Sequence, residues 1–97
     1  MEIAEIRKNL PEYVLNTSDV LVNHGYKAFL VGGAVKDMLL GIEPKDYDIA
    51  TNALPEEISK IFPHSVSTNA KFGTILVINS DRKGERFDVE VTTFRSE

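Results

Sequence analysis

The stretch from Phe29 to Asn52, FLVGGAVKDMLLGIEPKDYDIATN, sets a glycine pair between an apolar run and an amphipathic run, then opens a second apolar run with Asp-x-Asp. Lys27 to Val31 is short, mostly apolar and bounded by glycines, which suits a buried strand. Ala34 to Leu40 reads as a short helix with Val35, Met38 and Leu39 inward, stopped by Gly41. Ile42 to Lys45 is a turn, and Asp46 to Ala50 is the next strand. Side chains two apart on a strand share a face, so Asp46 and Asp48 can grip one divalent cation, or two, between them. Gly32 and Gly33 supply the complementary half. Lacking Cβ atoms they allow close backbone approach, and the unpaired N–H groups of the helix start suit a triphosphate. The stretch therefore predicts a metal-dependent phosphate site.

On either side, the pattern is that of a small mixed domain. Pro11 opens a helix to His24 in which Val14, Leu15, Ser18, Leu21 and Val22 fall on one face, with Gly25 as the stop. Pro55-Glu56-Glu57 places a proline and two acids in the first turn of a helix running to Phe62, and Pro63 blocks its continuation. Lys71 to Asn79 is β-rich, Asp81-Arg82-Lys83-Gly84 is turn chemistry, and Arg86 to Phe94 alternates cleanly, so a hairpin is expected. In that last strand Phe87, Val89, Val91 and Thr93 share one face, while Asp88, Glu90, Thr92 and Phe94 share the other. If the acidic face adjoins Asp46 and Asp48, three or four carboxylates converge. Such a cluster raises its own pKa values until cations such as Mg²⁺ relieve it.

Composition narrows the classes. With 42% hydrophobic and 27% charged residues in 97, one soluble globular domain is expected and wholesale disorder is not. No apolar run is long enough for a membrane span and no leader is visible, which makes a cytoplasmic location the expectation. Cysteine is absent, so any metal here is held by oxygen or histidine. A net charge of −4 is wrong for a self-sufficient nucleic-acid binder, whose affinity rests on Lys and Arg. If RNA is a substrate, most of its grip lies elsewhere.

Three elements in this order, Phe29 to Gly41, Asp46 to Asn52 and Glu90-Val-Thr-Thr-Phe-Arg95, resemble the N-terminal head domain of bacterial-type (class II) tRNA nucleotidyltransferases. That family includes CCA-adding enzymes and the related bacterial poly(A) polymerases, within the DNA polymerase β-like nucleotidyltransferase superfamily. The resemblance implies an α+β fold with a mixed, mostly antiparallel sheet and helices packed on one side. It implies catalytic, metal-holding roles for Asp46, Asp48 and Glu90, with two Mg²⁺ ions as cofactors, and a nucleotide-binding role for Gly32, Gly33 and the cation at 36. The family normally has arginine there; Lys36 keeps the charge but loses the planar, two-pronged donor. Asp37 reads equally as a helix-surface acid and as an orienting partner for a cation near the phosphates. ATP and CTP would be the nucleotides, and a tRNA or other RNA 3′-end the acceptor. Residues 1–97 would then be a nucleotidyltransferase head domain, incomplete at its C-terminal end, without the segments that select the base and hold the tRNA. Surface left uncovered by such segments makes self-association an expectation.

Plainer readings stand beside these. Gly32-Gly33 is in any case a tight strand-to-helix turn, Asp88 reads as an exposed strand residue, and His24 and His64 read as helix-end and loop residues without chemistry. Phe29, Phe62, Phe72 and Phe87 read as core, and Phe94 as bordering the site or packing at an edge. Lys71, Arg82, Lys83, Arg86 and Arg95 read as solvated charges. Two other functions compete. A metal-dependent glycosyltransferase also uses Asp-x-Asp but needs a larger domain, and a catalytically incompetent fragment would fold or self-associate without turning over.

Overall fold

Five strands and three α-helices are laid out in the computed structural model, which describes residues 1–69 and 73–94. The elements in chain order are α1 (Glu12–Asn23), β1 (Ala28–Val31), α2 (Gly33–Leu39), β2 (Asp48–Thr51), α3 (Pro55–Ile61), β3 (Ser65–Asn69), β4 (Thr74–Ser80) and β5 (Arg86–Thr93). Two short 3₁₀ turns, Ile3–Glu5 and Arg7–Asn9, precede α1. The expected Lys71, Phe72 and Arg95 roles fall outside the described residues.

Local chemistry explains the helix ends. Pro11 caps α1 rather than opening it: its carbonyl accepts the N–H groups of Val14 and Leu15, and its missing N–H costs nothing at a helix start. Gly25, at φ +86°, ends the helix, and the Tyr26 N–H returns to the Leu21 carbonyl at 3.0 Å. In α3 the Glu57 carboxylate accepts the Leu54 N–H at 2.9 Å and the Tyr26 hydroxyl at 2.6 Å. The hydroxyl first, then the N–H, holds the Glu57 carboxyl below its ordinary pKa.

The sheet runs β1-β2-β5-β4-β3, antiparallel throughout except for the parallel pair β2 and β5. The chain leaves β2, builds α3 and the β3–β4 hairpin, and returns through β5 to lie beside β2. Helices α1 and α3 pack on one side of the sheet. That side carries Leu30, Ile49, Val77, Val89 and Val91 into a core shared with Val14, Leu21 and Ile58. Because strand side chains alternate, the opposite face is set at once. One row across it reads Val31, Asp48, Glu90, Leu76, Val66.

The α+β class, the mixed and mostly antiparallel sheet, the helices on one side and the β4–β5 hairpin agree with expectation. Several details do not. β2 starts at Asp48, leaving Asp46 outside the strand. Val22 and Leu39, expected inward, are 54% and 74% exposed, and Thr17 and Ala34 take the buried positions. Phe29 lies across the sheet from the core, edge-on to Phe94 with ring centroids 5.9 Å apart. β3, Ser65–Asn69, is a strand that its polar composition concealed. Met1 and Glu2 extend the β1 edge, with the Leu30 N–H donating to the Met1 carbonyl at 2.7 Å and an antiparallel bridge from Glu2 to Phe29. Among the described residues no helix is long and apolar enough to cross a membrane.

Leu30 has no exposed surface, so Leu30→Ala should lower unfolding free energy by about 2–5 kcal/mol in urea denaturation. Val22→Ala, on the exposed face of α1, should stay within about 0.5 kcal/mol.

Candidate active site

Parallel pairing of β2 with β5 sets Asp48 directly beside Glu90 on the helix-free face of the sheet. The two carboxylates border a concavity of about 340 Å³, together with Asp46, Tyr47, Leu76 and Asp88. Exposure alternates from Asp46 to Thr51, as in an extended chain. Asp46 therefore faces the same side as Asp48 although the ladder has not yet begun.

The electrostatics are those of crowded negative charge. Burial, then a hydrogen bond that the protonated Glu90 donates to Asp48, then the charges of Asp48 and Asp46 raise the Glu90 pKa above its ordinary value. Asp88 is the exception. The Arg86 Nε donates to both of its oxygens, at 2.8 and 3.0 Å, so its charge is answered locally and Arg86 is not simply solvated. Among the described residues no three acids or histidines are gathered closely enough to encase a metal ion as they stand. Asp46, Asp48 and Glu90 share a concavity without closing into a cage. Their chemistry still fits a hard cation: oxygen donors only, short of positive charge.

Gly32 closes the site from the β1 side. It adopts φ +77°, and a Cβ placed there would stand 2.7 Å from the Asp48 Oδ2. No side chain fits without displacing the carboxylate. A Cβ on Gly33, by contrast, meets nothing within 4 Å, leaving space above the start of α2. Lys36 is exposed and Asp37 half-buried on α2, and neither borders the acidic concavity. His24 donates its Nδ1–H to the Val20 carbonyl, 2.7 Å away, and His64 is exposed.

Sequence reasoning overlooked Tyr47, which is 4% exposed between the two aspartates. Burial, then the charge of Glu43, raises its pKa, so the hydroxyl stays neutral beside the acids. Its signal was the alternation itself: a residue between two outward acids must point inward. Leu76 was legible as a strand residue only, since nothing local tells which partner it faces.

An α+β domain whose one parallel strand pair carries adjacent carboxylates on the open face has the polymerase β-like nucleotidyltransferase fold. Residues 28–97 match the family described as Poly A polymerase head domain, and the chain belongs to that family. The CCA-adding enzyme of Lactococcus lactis subsp. lactis is 44% identical over 93 residues, which is 93% of this chain and 23% of that protein. The crystal structure of the Bacillus stearothermophilus CCA-adding enzyme in complex with CTP superposes with a TM-score of 0.73 at 47% identity, over 84% of this chain and 19% of the other. The Thermotoga maritima CCA-adding enzyme complexed with tRNA, at 22% identity, shares the fold with a TM-score of 0.68 over 98% of this chain and 24% of the other. The chain thus spans about a quarter of the length of the relatives it matches.

A carboxyl with a raised folded-state pKa destabilises the fold above that pKa, and the penalty fades as pH falls through it toward the ordinary glutamate value. In EDTA, Glu90→Gln should therefore melt higher than wild type at neutral pH. The two curves should converge as pH is lowered into the ordinary carboxylate range, read by thermal denaturation across pH.

Proposed function

We infer that this chain is the catalytic head of an RNA 3′-terminal nucleotidyltransferase, which transfers a nucleoside monophosphate from CTP or ATP to the 3′-hydroxyl of tRNA. The observation that carries this reading is the side-by-side placement of Asp48 and Glu90, with Asp46 opening into the same concavity. It is supported by the CCA-adding relatives, one of them crystallised with CTP. On this reading residues 1–97 form a head domain, and the RNA is gripped mainly by parts of a longer protein, in keeping with the net charge of −4.

Asp46, Asp48 and Glu90 would hold two Mg²⁺ ions. Such ions, when bound, neutralise the triphosphate and stabilise charge on the entering and leaving oxygens. The work of the chain itself is to hold three carboxylates on one face, aimed together. Glu90, whose pKa is raised by burial and by Asp48, is the acid that can accept a proton near the attacking hydroxyl. Gly32 keeps the Asp48 carboxylate in place, and the open space over Gly33 leaves backbone N–H groups accessible to phosphate oxygens. Lys36 and Asp37, one turn further along α2, would act at the periphery: the lysine as a point charge for the triphosphate, the aspartate as its orienting partner. A poly(A) polymerase of the same family would use the same head, and acceptor specificity separates the two.

The decisive experiment is Mg²⁺-dependent transfer of labelled CTP or ATP to a tRNA lacking its 3′ end, by the protein that carries this head. Asp48→Ala should abolish transfer, as should EDTA. Transfer surviving in Asp48→Ala would end this reading. Among the acids, Glu90→Gln should weaken Mn²⁺ binding, followed by paramagnetic broadening. Asp88→Asn should leave it nearly unchanged, because Arg86 already answers the Asp88 charge.

None of these contacts touches a base edge. Isolated, the chain should therefore bind ATP, CTP, GTP and UTP within about threefold of one another, where a base-specific hydrogen-bond pair would add about 1 kcal/mol or more. Calorimetric titration of the four nucleotides checks this, and a tenfold preference would locate base selection inside the head.

A further inference from the structure

Of the three acids, Asp46 is the one the sheet does not hold. β2 begins at Asp48, paired with Val31 on one side and Glu90 on the other. Among the described residues Asp46 makes no backbone–backbone hydrogen bond. The last tie before the strand is the Glu90 N–H donating to the Tyr47 carbonyl at 3.3 Å. A single long bond to a carbonyl has broad angular tolerance, so it leaves the rotation of the preceding residue open.

The Tyr47 ring removes that freedom. It meets the Tyr13 ring of α1 edge-on, with centroids 6.0 Å apart and planes at 81°. Tyr13 in turn lies nearly flat on Phe87, at 4.9 Å and 21°. Phe87 belongs to β5, the strand that carries Glu90. The three rings therefore link the strand bearing one acid to the segment bearing the other two. Because successive side chains of an extended segment point to opposite sides, drawing Tyr47 inward turns Asp46 outward. On its other flank Tyr47 borders an open cavity of about 780 Å³, shared with Val35, Met38, Ile42 and Pro44. With that void alongside, nothing there takes over the contact if the ring is lost.

We propose that Tyr47 is a positioning residue, which, locked by Tyr13 against Phe87, fixes the direction of the Asp46 carboxylate toward the cation that Asp48 and Glu90 also face. This rests on the metal-dependent reading above, and the test separates the two. Mn²⁺ titration of the 97-residue chain, with Asp48→Asn as control, establishes the metal site independently of Tyr47. Tyr47→Phe keeps the ring and should bind Mn²⁺ within about twofold of wild type. Tyr47→Ala should bind about tenfold more weakly with an unchanged far-UV circular dichroism spectrum. Tyr13→Ala, which leaves the sequence of the acidic segment unchanged, should weaken binding several-fold, and it carries the test if Tyr47→Ala does not fold. In metal-free protein, the Asp46 amide order parameter should fall from about 0.85 to below about 0.6 in Tyr47→Ala or Tyr13→Ala, while Tyr47→Phe stays rigid. A wild type that binds no Mn²⁺ through Asp48 counts against the metal reading, and the order parameter then decides the positioning role alone. A folded Tyr47→Ala or Tyr13→Ala with a rigid Asp46 amide or wild-type Mn²⁺ affinity overturns the proposal.

Discussion

Two carboxylates held side by side by a parallel strand pair are the constraint around which this domain is arranged. β2 and β5 are the only parallel neighbours among the described strands, and their register sets Asp48 against Glu90. Like charges in that position repel, and after burial and the hydrogen bond to Asp48 they help raise the pKa of Glu90. The repulsion is tolerated because the opposite face of the same strands buries Ile49, Val89 and Val91 without exposed surface. Apolar burial of about 25 cal/mol per Å² on one face holds together what the other face would push apart.

That division of labour orders the remaining parts. Helices α1 and α3 cover the apolar face and leave the acids open to solvent. Gly32 contributes by what it lacks, since a Cβ at that point would collide with the Asp48 oxygen. Arg86 isolates Asp88 from the other acids by a two-oxygen grip. Exposed on such a surface, the pair adds little to stability; its effect is on which acids remain without a partner. Tyr13, Tyr47 and Phe87 form an aromatic path between the helix layer and the acidic segment.

Much of this was legible from local patterning. The period-two alternation of Arg86 to Phe94 placed Asp88 and Glu90 on one face, and the hairpin before it followed from Asp81-Arg82-Lys83-Gly84. The glycine pair announced a turn between β1 and α2. Errors came where one face of an element was only partly covered. Val22 and Leu39 satisfy a helical period, yet both are exposed. β3 was missed because Val66 is the one apolar residue in Ser65–Asn69, and the segment gains its strand from pairing with β4 rather than from its own pattern.

The sequence by itself determined a small mixed domain, the faces of the strands and the four candidate acids Asp46, Asp48, Asp88 and Glu90, because these follow from the spacing of side chains along single elements. The α+β class and the choice of Glu90 over Asp88 came from the family resemblance. Only the tertiary structure decided that β5 returns beside β2 and not at the sheet edge, that Asp48 rather than Asp46 opens the ladder, and that Glu90 meets Asp48 while Asp88 meets Arg86. Register between strands distant in sequence depends on which pairing buries the most apolar surface with every backbone group bonded. That is a property of the whole packed chain, and no local spacing encodes it.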